Sequence, residues 1–188
     1  TEIYTLSLHD ALPIYDAKGL LKSAIRCDDP VVFLEHKLLY MDKGPVPEDE
    51  YLIELGKAET RRAGRDVTLV AWSGMVPRCL EAAEKLSAEG IEAEVLDLRS
   101  LVPMDREAIL ESVRRTEHVV IVQEAVRRGG IASDIAAMIQ AEAFDYLDAP
   151  IEIVAGLNTP IPFNLNLERQ AVPQVEDIVK AARKAGYR

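Results

Sequence analysis

The sequence has little cysteine and no long hydrophobic run. Its two cysteines, Cys27 and Cys79, lie far apart, with no C-x-x-C pair and no histidine at metal-ligand spacing, which argues against a disulfide framework or a zinc site. No apolar stretch approaches the roughly 20 residues that a membrane-spanning helix needs, and no secretory leader is visible. We therefore expect a cytoplasmic protein with reduced thiols and no membrane partner.

Positive charge is also in short supply. Lys and Arg number 22 against 32 Asp and Glu, a net charge of -10, and the basic residues are scattered among acidic ones. This balance disfavours nucleic acid as a partner and favours a basic protein surface. At 48% apolar residues the chain can still build a substantial core.

The common catalytic motifs are missing as well. The turn AWSGM has one glycine where a dinucleotide fingerprint needs three, and no phosphate-binding G-x-x-x-x-G-K-[ST] loop occurs. Ser73-Gly74 lacks the G-x-S-x-G frame of a nucleophile elbow, and His36 and His118 have no obvious acid partner in the sequence. Nucleotide binding and hydrolysis are both disfavoured.

The most regular feature of the sequence is a βαβ unit, from Val67 to Leu98. VTLVA and EVLDL are strand-like runs, and Cys79, Leu80, Ala83 and Leu86 between them share one helical face. Further helices and the strands HVVIVQEA and PIEIVAG come after it in alternation. This pattern predicts an α/β fold, with a doubly wound, mostly parallel sheet over 67–188.

One carboxylate stands out at the end of the third predicted strand. Glu124 lies where open α/β sheets place ligand-facing groups. It is interpreted as a helix-capping or interface carboxylate in preference to a proton-transfer group.

The first 66 residues divide into three parts. Residues 1–14 join abruptly to the rest of the chain and are interpreted as non-native read-through outside the fold, with a short amphipathic helix as the alternative; His9 receives no role. Residues 15–37 predict a helix and a strand that end a domain, and 38–66 predict a linker containing a strand candidate, YLIEL.

The linker ends in a group of arginines. Arg61, Arg62 and Arg65 are interpreted as part of a solvated loop in preference to a phosphate contact. The Pro-rich stretch NTPIPFNLNLERQAVP is predicted to be neither helix interior nor central strand.

Several ordered blocks carry a family resemblance. The chain resembles the C-terminal half of the β subunit of thiamine-diphosphate-dependent 2-oxoacid dehydrogenases of the pyruvate, acetoin or branched-chain type. The resemblance implies a transketolase C-terminal-like domain over 67–188, preceded by the tail of a pyrimidine-binding domain over 15–37. The blocks are YDAKGLLKSAIRCDDPVVFLEHKLLY, VTLVAWSGMVPRCLEAA, LRSLVPMDREAILESV, VIVQEA, FDYLDAPI and NTPIPF.

The resemblance implies an activity for the intact enzyme. An α2β2 assembly would decarboxylate a 2-oxoacid, pyruvate or an acetoin-type substrate, on thiamine diphosphate and magnesium and transfer the acyl group to lipoyl. The partners would be the α subunit, a second β subunit and the peripheral subunit-binding domain of the acyltransferase core. No catalytic or cofactor-binding residue transfers to this chain, which alone would not bind the cofactor.

Two other functions stay open. One is a non-catalytic α/β interaction domain, and the other is a generic ligand-binding α/β domain.

Two groups of site residues are implied by the resemblance. A structural potassium ion would be held at Ala24, Ile25, Cys27 and Asp29, where unpaired carbonyls at a helix C-terminus suit a hard monovalent cation; the alternative is an ordinary acidic helix stop. Asp148, with the C-terminus of the chain, would dock the basic subunit-binding domain. Asp148 would otherwise cap a turn before Pro150.

Overall fold

The structure is a computed structural model that describes residues 4–8, 13–40 and 43–186. Within these ranges the chain forms strands, α-helices and two short 3-10 turns, at Lys37–Leu39 and Phe144–Tyr146. The strands are β1 (Tyr4–Leu8), β2 (Val31–Glu35), β3 (Glu59–Arg62), β4 (Val67–Ala71), β5 (Ala93–Asp97), β6 (Ser100–Val102), β7 (Val119–Val126) and β8 (Glu152–Gly156). The helices are α1 (Pro13–Arg26), α2 (Met75–Ser87), α3 (Arg106–Thr116), α4 (Ile131–Glu142), α5 (Leu165–Ala171) and α6 (Val175–Gly186).

A five-stranded sheet organises most of the chain. Its order is β3-β5-β4-β7-β8, with β3 antiparallel and the other four strands parallel. Every residue of β4 is buried, which explains why VTLVA does not alternate between apolar and polar positions. The predicted mostly parallel α/β sheet is therefore confirmed.

Helices cover both faces of this sheet. Leu69 of β4 belongs to the core cluster that contains α2 and α6, while the next residue, Val70, belongs to the cluster that contains α3 and α4. Cys79, Ala83 and Leu86 are buried on α2, as the helical spacing predicts, and Leu80 is partly buried against the same cluster. Two opposite cores on one sheet are what a doubly wound fold requires. No helix among the described residues is both long and apolar enough to cross a membrane.

A second, three-stranded sheet has the order β2-β1-β6. β1 runs parallel to β2 and antiparallel to β6, so it supplies hydrogen-bonding partners that β2 would otherwise lack. This strand, with the first two residues of α1, corrects the exclusion of residues 1–14 from the fold. Its extended backbone contradicts the alternative of a helix over 4–8. Residues 1–3 and 9–12, with His9, lie outside the described residues, and the non-native origin of the segment stays a prediction.

The stretch predicted as a linker has more structure than its sequence indicates. β3 pairs with β5, and Gly64 then approaches β5 so closely that a Cβ there would lie 2.1 Å from the backbone nitrogen of Glu94. YLIEL forms no strand; Ile53 from this stretch packs on Leu20 of α1. The limits proposed for 15–37, 38–66 and 67–188 stay predictions.

The Pro-rich stretch also contains a helix, contrary to the prediction from its sequence. α5 fits between Pro162 and Pro173, and its first turn is capped by Asn164, whose side chain accepts from the backbone N–H groups of Asn166 and Leu167. The prolines therefore mark the limits of this helix instead of preventing it.

Candidate functional site

The carboxyl ends of β4, β7 and β8 share one edge of the main sheet, and His36 reaches it from the N-terminal region. Nε2 of His36 lies 2.8 Å from Oε2 of Glu124. The turn after β4 leaves room for the imidazole, since a Cβ on Gly74 would lie 2.7 Å from Nε2. The contact supports Glu124 as an interface carboxylate. The sequence interpretation that His36 lacks an acid partner was wrong. His36 and Glu124 are 88 residues apart, so no local sequence pattern indicates their contact.

The same edge has a cavity of about 270 Å³. Arg78 enters it from the first turns of α2, and Glu168 and Arg169 enter it from α5. Its remaining lining is Leu38, Glu124, Leu165 and Val172. α2, which follows β4, and α5, which follows β8, thus meet Glu124 of β7 at one mixed polar and apolar depression. This is the edge at which open α/β sheets bind ligands or partners.

A buried ion cluster ties α1 to the main sheet. Arg61 of β3 donates to Asp16 of α1 and, at 2.8 Å and 3.0 Å, to Asp97 at the end of β5. Arg99 adds an ion pair of 3.5 Å to Asp16 and donates to the carbonyl of Ala58 at 3.2 Å. At most 8% of the side chain of Asp16, Arg61, Asp97 or Arg99 is exposed. This cluster fixes the N-terminal helix against the C-terminal sheet.

Burial sets the ionisation of this cluster. Desolvation raises the pKa of the Asp97 carboxyl above its usual value, against the opposing effect of Arg61. Desolvation likewise lowers the pKa of Arg99, against the attraction of Glu59 and Asp97. The solvated-loop interpretation is therefore wrong for Arg61 and for Arg62, which lies in β3, is 24% exposed and pairs with Glu92. It holds for Arg65, whose side chain is 80% exposed. The pairing of β3 with β5 brings Arg61 to Asp97, and the packing of α1 brings it to Asp16. Short-range sequence patterns encode neither contact.

The residues predicted to hold potassium lie at the end of α1, as expected. The side chain of Ile25 is a hydrocarbon, so its backbone carbonyl is the only group that it could offer to a cation. The Ala24 carbonyl accepts the N–H of Cys27 at 3.3 Å and keeps a second lone pair. Asp29 would add one carboxylate; the described residues contain no group of three or more His, Cys, Asp or Glu placed to hold a metal. A set dominated by carbonyls fits a monovalent cation, and the site stays a prediction.

Asp148 lies at the opposite, amino edge of the sheet. Its backbone N–H donates to the carbonyl of Glu117 at 3.1 Å, and its side chain is solvent-exposed. A cleft of about 460 Å³ joins Asp148 to His118 and to Lys184 and Gly186 at the end of α6. The structure therefore brings Asp148 beside the C-terminal helix, as the predicted docking patch requires; residues 187–188 lie outside the described part.

Residues 56–178 match the family described as transketolase, C-terminal domain. The chain belongs to this family. The five-stranded sheet, with α2, α3, α4 and α5, lies within the matched residues of this transketolase C-terminal domain. Both the edge occupied by Glu124 and the edge occupied by Asp148 are therefore parts of the family fold.

Relatives of this transketolase C-terminal domain include β subunits of two enzymes. The chain is 50% identical over 177 residues to the mitochondrial pyruvate dehydrogenase E1 component subunit beta-1 of Arabidopsis thaliana, covering 92% of this chain and 49% of the relative. It is 52% identical over 165 residues to the acetoin:2,6-dichlorophenolindophenol oxidoreductase subunit beta of Bacillus subtilis, covering 88% and 48%. These matches confirm the resemblance to β subunits of the pyruvate and acetoin types.

A solved structure has the same fold over almost the whole of this chain. A chain described as a split gene transketolase, inactive beta4 tetramer, superposes with a TM-score of 0.76 at 30% identity, covering 98% of this chain and 57% of that one. The chain spans about half the length of the curated relatives that it matches.

Proposed function

We propose that the chain is the C-terminal half of a β subunit of a pyruvate- or acetoin-type 2-oxoacid dehydrogenase. The observation that carries the proposal is the identity of about 50% to pyruvate and acetoin β subunits over nine-tenths of the chain. In the intact α2β2 enzyme the reaction is oxidative decarboxylation of the 2-oxoacid on thiamine diphosphate and magnesium, with transfer of the acyl group to lipoyl. The proposed location is the cytoplasm.

The C-terminal half of the β subunit contributes to assembly of the enzyme complex. It brings the ion cluster that fixes α1 on the sheet, a potassium site at Ala24, Ile25, Cys27 and Asp29, and the Asp148 cleft for the basic peripheral subunit-binding domain of the acyltransferase core. The net charge of -10 favours a basic module at that cleft. The α subunit and a second β subunit supply the remaining interfaces.

Thiamine diphosphate and magnesium are assigned to other parts of the enzyme. The described residues contain no group of three or more His, Cys, Asp or Glu suited to a metal, and the sequence has no phosphate-binding glycine motif. Because the resemblance assigns the catalytic and cofactor-binding residues to other parts of the enzyme, we expect this chain alone to be inactive.

The alternative is a non-catalytic α/β interaction domain. The observation that favours it is the split transketolase, whose β chains are described as an inactive tetramer and which covers 98% of this chain. Such a domain would use the same fold for subunit pairing alone.

The test begins with the source DNA, sequenced upstream of the codon for Tyr15. The resulting subunit is then produced with the α subunit of the same organism and assayed with pyruvate and acetoin. An open frame through a pyrimidine-binding domain, and activity only when both subunits are present, support the dehydrogenase subunit. A frame that begins at TEIYTLSLHDALPI, or a subunit that pairs with α without activity, supports the interaction domain.

A further inference from the structure

The segment 47–53, which we call the strap, lies against α1 although it contains neither helix nor strand. Five residues of α1 contact it, at intervals of one, three or four positions that place them on one side of the helix. They are Tyr15, Lys18, Gly19, Ser23 and Arg26. The strap leads directly towards β3, so it connects the N-terminal helix to the main sheet.

The ammonium group of Lys18 binds the backbone of the strap. It donates to the carbonyl oxygens of three consecutive residues: Pro47, Glu48 at 3.4 Å and Asp49 at 3.0 Å. An ammonium group has three donors, and these three acceptors match that number. The side chains of Glu48 and Asp49 are exposed, so the contact depends on the path of the backbone and not on the acidic side chains.

Two side chains of the strap anchor it by packing. The ring of Tyr51 stacks on that of Tyr15, with centroids 4.4 Å apart, and its hydroxyl donates to the Tyr15 carbonyl at 2.7 Å. Ile53 is 9% exposed and packs on Leu20, whereas Leu52 between the two anchors is 51% exposed. This alternation is typical of an extended segment with one buried face, but the face is buried on a helix.

Gly19 provides the space for these anchors. A Cβ at this position would lie 2.6 Å from Cγ1 of Ile53 and 2.9 Å from Cε2 of Tyr51. The hydroxyl of Ser23, one turn later, donates to the Ile53 carbonyl at 2.6 Å. Glycine lowers the stability of a helix interior, and here it permits the close approach of the strap.

The one ion pair between the strap and α1 is a weaker contact. Arg26 pairs with Glu50, and the two side chains are 52% and 56% exposed. The hydrogen bond from Arg26 lowers the pKa of Glu50, and the charges of Lys22 and Lys18 act in the same direction. Exposed pairs of this kind contribute little to stability because water and salt screen them.

We infer that the strap is a conformational device that opens locally, as one unit, and that Lys18 closes it on α1 by binding its backbone carbonyls. Opening would uncover Leu20, which is 1% exposed in the closed form. α1 would then be held to the sheet by the ion pair of Asp16 with Arg61. The strap thus limits the motion of α1 against the sheet, which is a property beyond the proposed function.

The alternative is that attraction between acidic and basic side chains holds the strap. The run Glu48, Asp49 and Glu50 faces a helix that carries three basic residues. The geometry disfavours this alternative, because the contacts at Glu48 and Asp49 are made by carbonyl oxygens. The two explanations differ in which substitutions should open the strap.

The test uses the full 188-residue chain and measures chymotrypsin cleavage after Tyr51 by mass spectrometry. A protease cleaves a segment only while it is open, so the rate reports the open population. Lys18→Met removes the ammonium group. Lys22→Met is the matched control: Lys22 acts on the charge of Glu50 but, among the described residues, forms no hydrogen bond to the strap.

Two further variants separate the contacts. Glu48→Gln with Asp49→Asn removes two acidic charges and keeps the carbonyl oxygens. Gly19→Ala fills the space for Ile53 while favouring the helix itself. Hydrogen exchange in α2 and β4 is followed in every variant, because faster exchange there would reveal global unfolding.

We expect Lys18→Met to raise the cleavage rate by about tenfold or more, since it removes charge-assisted hydrogen bonds. Gly19→Ala should raise it several-fold without faster exchange in α1. Lys22→Met and the Glu48/Asp49 double variant should stay within about twofold of wild type. Exchange in α2 and β4 should stay unchanged throughout.

Three results would overturn the inference. The first is cleavage of Lys18→Met at the rate of Lys22→Met. The second is a Glu48/Asp49 double variant that opens as much as Lys18→Met, which would assign closure to the acidic side chains. The third is faster exchange in α2 and β4 in parallel with cleavage, which would make the opening global. Each result leaves the proposed function intact, because the measurement needs no other subunit.

Discussion

In this domain the effect of a glycine substitution on the free energy of unfolding depends on the backbone conformation of the residue that is replaced. Glu117 ends α3 with a φ of 60°, in the left-handed region, while its carbonyl accepts from Asp148. A side chain with a Cβ is strained there, and glycine is the residue that helix ends prefer.

Glu117→Gly should therefore raise the free energy of unfolding, by about 0.5–1 kcal/mol, because relief of strain exceeds the extra entropy of the unfolded chain. Glu111→Gly, at an exposed position inside the same helix, is the matched control and should lower it by about 1 kcal/mol. Urea denaturation followed by circular dichroism measures both. Equal signs for the two variants would contradict the left-handed assignment at Glu117.

The second prediction at this scale concerns the buried ion cluster. Arg61→Met leaves Asp97 buried at 0% side-chain exposure and without its main partner. Loss of one member of a buried pair costs about 3–5 kcal/mol, and we expect Arg61→Met to fall in this range.

Arg65→Met, four residues away and 80% exposed, should change the free energy of unfolding by less than about 0.5 kcal/mol. Guanidinium denaturation of the two variants side by side makes the comparison. A cost for Arg61→Met as small as that of the control would mean that the cluster is hydrated in solution.

At the scale of elements, the helices and strands that could be predicted are those in which the spacing of apolar residues reflects which faces are buried. VTLVA predicts a strand because β4 is buried on both faces, and the spacing of Cys79, Ala83 and Leu86 predicts the buried face of α2. β1 and β3 could not be predicted in this way, since each depends on pairing with a strand distant in sequence. The site divides similarly: Glu124 was singled out by its strand end, whereas its partner His36 depends on the tertiary fold.

β3 offers a direct test of such long-range packing. Gly64 follows β3 where a Cβ would lie 2.1 Å from the Glu94 nitrogen and 2.2 Å from the Ala93 carbonyl carbon, both backbone atoms that cannot move aside easily. Gly64→Ala should therefore separate β3 from β5 and destabilise the fold by about 1–3 kcal/mol.

Gly90→Ala is the control, because nothing lies within 4 Å of the added methyl group and only its φ of +85° opposes the change. Hydrogen exchange should show faster exchange along β3 in Gly64→Ala and not in Gly90→Ala. Unchanged protection in β3 would show that Gly64 lies farther from β5 than these distances indicate.

At the scale of the whole molecule, ion pairs on the surface link stability to pH. Hydrogen bonds lower the pKa of several glutamates: from Arg26 to Glu50, from Arg183 to Glu89, and from Lys85 to Glu176. A carboxyl with a lowered pKa in the folded state stabilises the fold above its unfolded pKa, near 4.3 for Glu, and this contribution is lost as the pH falls through the folded pKa.

Two effects oppose this loss. The raised pKa of Asp97 has the reverse sign, since its destabilising contribution is present at neutral pH and disappears as the pH falls below its unfolded value. Repulsion among the ten net negative charges also weakens as the pH approaches the isoelectric point of about 4.9. The midpoint of thermal unfolding should therefore change little between about pH 7 and pH 5 and fall below about pH 4.3, where the glutamates become protonated.

Calorimetry across this range measures the trend, and added salt separates its causes. Salt screens exposed pairs, so about 0.5 M sodium chloride should flatten the acid limb. Glu89→Gln should remove part of the pH dependence, and its midpoint should approach that of wild type once the pH lies below the lowered folded pKa of Glu89, where this carboxyl is protonated in both states. A midpoint that rises steadily from pH 5 to pH 3 would mean that relief of buried Asp97, and not loss of surface pairs, governs the acid stability of the molecule.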